Sequence, residues 1–282
     1  AKVIERLSHD LRAAFPDMPR CELGELQADY RKYYRSTHKK RVRRLAWHKA
    51  GAVWATDHVV PPNPIDGVNT AVLAVRDLAT GQQLAWQPVP DQTSPIAETV
   101  LQSLIDRYGP PLVLKSDNGS AFISKNFSVM LDAFSIAWLP SPPRSPWYNG
   151  GCEAGNGSLR TRTDHFAEPD GVWTRASLSL AQRQANELTR PLGFLGPTPN
   201  QRWAEREPIT AQQRAAFLAA VCRCRREILA EEKDRLNLQN KNHKRKLQRQ
   251  AVKRALLDCG LLTMTERLIP PPLRRKKAAK IS

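Results

Sequence analysis

Three short apolar runs, separated by turn signals, dominate residues 52–89. AVWATDHVV at 52–60 gives way to a loop holding Pro61, Pro62, Asn63, Pro64 and Gly67. TAVLAV at 70–75 is followed by the turn Ala79-Thr80-Gly81-Gln82, and a third run covers 84–89. Runs this short, joined by connections too brief for a crossover, predict antiparallel strands. The period then changes. Ile96, Val100, Leu101, Leu104 and Ile105 form a helical stripe behind a Ser94-Pro95 start, predicting a helix over 94–108. A short apolar run at 111–114, a helical stretch at 124–134 and another apolar run at 136–139 follow. The order strand, strand, strand, helix, strand, helix, strand predicts an α/β class mixed sheet with helices packed on it.

Prolines at 142, 143 and 146 exclude regular structure over 141–146 (SPPRSP). Helices are expected over 149–165 and 174–189, with one further turn capped by Thr198. From Thr210 to Leu257 the sequence reads as long helix. Phe217, Val221, Ile228, Leu229 and Leu236 form one stripe, residues 239–246 are polar and basic, and Leu247, Val252, Ala255 and Leu256 resume the stripe. Such a stripe serves an interface between copies or packs on the chain's own core. Residues 1–50 read as short helices and a linker.

Charge divides the 282 residues into three stretches. Residues 1–50 hold 13 basic and 6 acidic side chains, net +7; residues 51–205 hold 11 and 14, net −3; residues 206–282 hold 20 and 7, net +13. Basic flanks point to a polyanion, nucleic acid first. The basic runs 39–44, 241–246 (with Lys241, Lys244, Arg245 and Lys246) and 274–277 are expected to hold phosphate. The expected organisation is a basic, mostly helical segment at 1–50, a catalytic core at 51–205 and a basic, largely helical DNA-binding or assembly region at 206–282. No apolar run approaches the ~18 residues of a membrane span. No leader pattern opens the chain. The five cysteines have neither framework nor zinc spacing. Reduced thiols and a cytoplasmic place are expected.

An acidic centre in a chain that binds phosphate requires an explanation, and three carboxylates supply one. Asp57 interrupts an apolar strand, where an unpaired charge is costly. Asp117 stands at the C-terminal end of another strand, where α/β sheets place functional groups. Glu153 lies near the start of a helix, after the Pro/Gly-rich segment, with 35 residues between it and Asp117. Taken singly, Asp117-Asn118-Gly119 is also a good turn and Glu153 a good first-turn helix residue.

The surrounding text resembles the D,D,E catalytic core of retroviral integrases and bacterial insertion-sequence transposases. The matching segments are Trp54-Ala55-Thr56-Asp57, then Lys115-Ser116-Asp117-Asn118-Gly119-Ser120-Ala121-Phe122, then Ser145-Pro146 with Asn149-Gly150 and Glu153. The resemblance spans about 50–205. It implies an RNase H-like five-stranded mixed sheet flanked by helices. It also implies that Asp57, Asp117 and Glu153 are catalytic and bind two Mg²⁺ ions, with Mn²⁺ as substitute. The implied activity is DNA end cleavage and strand transfer by a homo-oligomer assembled on double-stranded DNA in a bacterial cytoplasm, at the nucleoid. Chemically, three converging carboxylates repel each other unless divalent cations sit among them, and oxygen-only ligands suit Mg²⁺.

By the same resemblance Asn149 and Arg160, which share a helix face with Glu153, are DNA contacts, and Arg144, Trp147 and Tyr148 are candidates to hold or stack on DNA. A basic residue often stands four beyond the glutamate in that family; here the place holds Gly157. The zinc-module spacing and the C-terminal β-barrel of retroviral integrases have no counterpart in the sequence, which points toward the insertion-sequence transposases. A catalytically silent DNA-binding protein on the same fold and a nuclease that cuts without joining are the alternatives.

Overall fold

The computed structural model describes residues 13, 16–142, 150–232 and 239–270; for Arg20, Lys40, Val42, Arg43, Gly150, Cys152 and Glu153 it describes the backbone alone. The chain forms two compact units, Ala1–Leu45 with Met264–Ser282, and Ala46–Thr263.

The larger unit is built on five strands: β2 (Val53–Val59), β3 (Ala71–Asp77), β4 (Gln83–Val89), β5 (Val113–Ser116) and β6 (Ala137–Pro140). Their order is β4-β3-β2-β5-β6. The tight connections make β2, β3 and β4 antiparallel neighbours, whereas β5 and β6 join parallel to β2 and to each other. These parallel strands arrive by helical crossovers, α2 (Ser94–Tyr108) before β5 and α3 (Lys125–Ala133) before β6. Gly81, with φ +82, closes the β3–β4 turn in a conformation that suits glycine.

Strand β3 reads as an unbroken apolar run because both of its faces are covered. Leu73 and Val75 join Trp54, Leu101, Leu104, Phe127 and Leu131 in one core beneath α2 and α3. Val72 and Ala74 point the other way. They join Trp86 with Leu159 of α4 (Gly150–Phe166), Trp173, and Leu178 of α5 (Arg175–Glu187) in a second core. Alternation at period two thus divides one strand between two layers. Helix starts are capped as the sequence prescribes. Ser124 accepts from Phe127 N, and full capping boxes open α5 at Thr174, α6 (Pro199–Ala204) at Thr198 and α7 (Ala211–Glu231) at Thr210.

The single long helix expected over 210–257 is two helices, α7 and α8 (Lys241–Asp258), packed on each other. Phe217, Val221, Cys224 and Ile228 on α7 and Leu247, Val252, Ala255 and Leu256 on α8 are buried. The two stripes therefore pack within the chain; α7 ends at Glu231 and α8 begins at Lys241, so most of the polar stretch 239–246 forms the first turns of α8. Leu236 lies outside the described residues. Helix α8 also packs on β6, the edge of the sheet, where Gln248 Nε2 donates to Trp138 O at 3.2 Å. An edge covered by a helix cannot pair with another strand. Arg214 of α7 reaches under the sheet: Nη1 donates to Pro111 O at 2.8 Å and Nη2 to Pro110 O at 2.5 Å. Burial lowers the pKa of this guanidinium.

The N-terminal stretch also differs from the expected short helices and linker. Among its described residues are a long helix, α1 (Arg20–Thr37), and a strand, β1 (Lys40–Trp47), paired with β7 (Leu262–Ile269) in a two-stranded sheet. Basic residues dominate β1 and conceal its strand character; its partner lies more than 200 residues away, beyond the reach of local pattern. No helix among the described residues is long and apolar enough to cross a membrane.

Candidate active site

Strand register brings the first two carboxylates together. Ala55 of β2 pairs in parallel with Lys115 of β5. Two residues on from Ala55, Asp57 lies on the same face of β2, and Asp117 stands just past the end of β5, close enough for its charge to act on Asp57. That face is the one covered by α4 and α5, since Asp57 pairs with Ala74 of the second core.

Asp57 is half-buried, and both of its oxygens accept hydrogen bonds. Oδ1 takes the His58 backbone N–H at 2.9 Å, and Oδ2 takes Asn156 Nδ2 at 2.8 Å. Burial raises its pKa most. The bond from Asn156 opposes that shift, the negative charge of Asp117 adds to it, and the His58 N–H and the Lys115 ammonium oppose it. Lys115 is only 3% exposed, so a cation is held within the sheet beside the carboxylates. His58 stacks on Phe122 with ring centroids 5.2 Å apart, and burial lowers its pKa.

Asp117 opens the turn after β5. Its Oδ1 accepts Gly119 N–H at 2.9 Å. A Cβ at Gly119 would lie 3.0 Å from that oxygen, so glycine lets the carboxylate fold back over its own turn. The turn is pinned from β6 and beyond. Trp138 Nε1 donates to Ser116 Oγ at 2.9 Å, Ser116 Oγ to Asp117 O at 2.9 Å, and Asn118 Nδ2 to Ser141 O at 2.6 Å.

Helix α4 closes the site from above. Its glycines let it approach the sheet closely. A Cβ at Gly151 would fall 2.9 Å from Leu78 Cδ2, and one at Gly155 would fall 3.3 Å from Arg76 Cδ. Arg76 Nη1 donates to Gly151 O at 2.8 Å and ties β3 to the first turn of the helix. Glu153 stands on α4 one turn before Asn156, the residue that reaches Asp57. The Glu153 side chain lies outside what the structure describes, as do Asn149, Arg144, Trp147, Tyr148 and the run 274–277.

Arg160 is exposed on α4. Lys241, Lys244 and Arg245 occupy the first turns of α8, and Lys246 is ion-paired with Glu232 at 2.7 Å. Two groups at the site escaped the sequence reading. Asn156 was detectable as the residue three beyond Glu153, on a neighbouring part of the same helix face. Lys115 belongs to a quoted motif, yet its burial beside Asp57 follows only from strand register.

The donor chemistry fits a hard divalent cation. Asp57 and Asp117 offer oxygen alone, and each carboxylate oxygen that accepts one hydrogen bond retains a second lone pair. Asn118 Oδ1 is a further buried oxygen, without a hydrogen-bond partner among the described residues. No cluster of three His, Cys, Asp or Glu side chains suited to a metal occurs among the described residues, which do not include the Glu153 side chain.

Residues 48–146 match the family model of the integrase core domain. Among solved structures, a chain of the simian T-cell lymphotropic virus intasome in complex with PP2A regulatory subunit B56 gamma is similar over 72% of this chain and 77% of its own. It shares 20% identity at a TM-score of 0.50. The catalytic core domain of BIV integrase matches 55% of this chain and 95% of its own, at 24% identity and TM-score 0.46. The HTLV-2 integrase catalytic core domain, solved in complex with magnesium, matches 54% and 96%, at 18% identity and TM-score 0.43. The five-stranded mixed sheet with its flanking helices is an integrase-type, RNase H-like α/β core.

Proposed function

We propose that the chain is a metal-dependent polynucleotidyl transferase of the D,D,E type, cleaving DNA ends and joining them to target DNA. The observation that carries this reading is the nearness of Asp57 on β2 to Asp117 just past the end of the neighbouring parallel strand β5, with the helix that bears Glu153 reaching Asp57 through Asn156.

Asp57, Asp117 and Glu153 are assigned as ligands of two Mg²⁺ ions, with Mn²⁺ able to replace them. Bound there, the ions would activate a water or a 3′-hydroxyl and balance charge on the phosphodiester. The chain's own residues set the stage. Asn156 and the His58 N–H fix both Asp57 oxygens, the Gly119 N–H fixes Asp117, and Lys115 tempers the repulsion between the two carboxylates. Arg160 on α4 and Lys241, Lys244 and Arg245 on α8 are proposed phosphate contacts. Lys246 is the weaker candidate, because Glu232 already balances its charge. Asn149, Arg144, Trp147 and Tyr148 remain proposed contacts from the segment that precedes α4 in the sequence. Joining two DNA ends requires two active sites, so the working unit is proposed as a dimer or larger on DNA. A bacterial insertion-sequence origin is part of the same proposal, resting on the sequence resemblance.

The test is a Mg²⁺-dependent reaction on a candidate DNA end, scoring cleaved and joined products separately for the wild type and for Asp57→Asn, Asp117→Asn and Glu153→Gln. Each substitution is expected to abolish both products. Cleavage without joining would identify a nuclease, and DNA binding without either product a silent binding protein. A variant as active as wild type would remove that residue from the set.

A further inference from the structure

The smaller unit carries a groove of about 520 Å³ that the carboxylate site does not use. Its rim is formed by Arg31, Lys32 and Arg35 of α1 and by Lys39 just beyond the helix. Ala28 and Pro270 supply apolar floor. No acidic side chain lines it, and none of the four cations is in an ion pair among the described residues. The acidic residues of α1, Glu22, Glu25 and Asp29, all lie in its N-terminal two-thirds, so the helix grows positive toward the groove. Arg35 Nε is screened from solvent and has no acceptor among the described residues. With that Nε closed off, the fork left for a ligand is the terminal pair Nη1 and Nη2, which also matches two oxygens of one phosphate. Arg31 and Arg35 are one turn apart, with a rise of ~6 Å over four residues. Along one strand of a duplex, phosphates recur every ~3.4 Å of axis, so the pair spans two or three successive phosphates.

We propose that this groove seats the phosphodiester backbone of duplex DNA, with Arg35 as the forked anchor and Arg31, Lys32 and Lys39 as flanking charges. The choice of DNA as the polyanion rests on the function proposed above, whereas the preference for an anion comes from the four cations of the groove. The contact is to backbone alone, so it holds DNA without reading its sequence.

The experiment measures binding of the full chain to a labelled duplex of arbitrary sequence, in EDTA, across a salt series. Replacing Arg31, Lys32, Arg35 and Lys39 together by Ala is expected to raise Kd on the order of 10–100-fold and to flatten the slope of log K against log salt by about 3. A control of equal charge, with exposed Arg107, Lys125, Arg183 and Arg190 changed to Ala, is expected to change both far less. Arg35→Lys keeps the charge, so it should leave the slope intact while weakening binding about fivefold through loss of the fork. If the groove variant behaves like the control, or Arg35→Lys binds as wild type does, the proposal is overturned. Because metal is absent, the outcome is independent of catalysis. A chain inactive in strand transfer that still loses DNA with the groove would refute the proposed function and leave the groove standing.

Discussion

Asp77 and Asp57 lie on neighbouring strands of one sheet, three register positions apart, and both have pKa values raised chiefly by burial. Their surroundings differ. Asp77 is fully buried at the end of β3 and accepts three hydrogen bonds, from Gly51 N at 2.9 Å, Thr80 N at 2.8 Å and Thr80 Oγ at 2.7 Å. Asp57 is half-buried, accepts two, and faces the like charge of Asp117. The first carboxylate is enclosed by donors from its own turn and knits the β3–β4 corner to Gly51. The second is left with spare lone pairs and a repulsive neighbour, an arrangement that gains from a cation. On the proposed function, one residue type in one sheet serves architecture at Asp77 and chemistry at Asp57 according to what surrounds it.

The largest expected effect separates the two by activity. Asp57→Asn or Asp117→Asn should lower strand transfer by roughly 10³-fold or more while the fold persists, as ligand loss at the proposed two-metal site demands. Asp77→Asn should leave the rate per folded molecule within a few-fold of wild type in the same assay. Stability should reverse the ranking. Asp77→Ala strands three donors at a buried corner and should cost about 2–4 kcal/mol in denaturant unfolding. Asp57→Asn should be neutral or stabilising in metal-free buffer. A mild Asp77→Ala and a collapsing Asp57→Asn would break the contrast.

The pH dependence carries a definite sign. A carboxyl whose folded pKa is raised binds its proton more tightly in the folded than in the unfolded chain. Its contribution is therefore greatest below the unfolded value, near 3.8, and declines as pH rises toward the folded value. In EDTA, the stability of the wild type relative to Asp57→Asn should fall over that window, and saturating Mg²⁺ at neutral pH should restore it. An unchanged difference between the two proteins from acid to neutral pH would contradict the assigned environment of Asp57. Smaller still, Asn156→Ala removes one donor to Asp57 and should cost about 1 kcal/mol of stability. It should also move the acid limb of the pH–rate profile upward, because Asn156 lowers the Asp57 pKa. An unmoved limb would mean that Asn156 only packs.

Local pattern carried much of this molecule. The helix over 94–108 agrees residue for residue, because a clean stripe, a Ser-Pro start and Gly109 at its end all coincide. Strands β2, β3 and β4 were marked by their turns. The β1–β7 pairing was illegible, since two unremarkable segments acquire strand character only from each other. The break between α7 and α8 was hidden because the apolar stripe resumes after the polar stretch. At the site, an acid within an apolar strand singled out Asp57, and a strand-end turn singled out Asp117. Their nearness, the buried Lys115 and the reach of Asn156 depend on the β2–β5 register and on the close approach of α4, neither of which one segment encodes alone.

Titration of Mn²⁺ into the full chain, following the free ion by electron paramagnetic resonance, tests the central assignment most directly. Saturable binding is predicted for the wild type and for Asp77→Asn, with loss in Asp57→Asn and in Asp117→Asn. Equal binding by Asp57→Asn and wild type would contradict it.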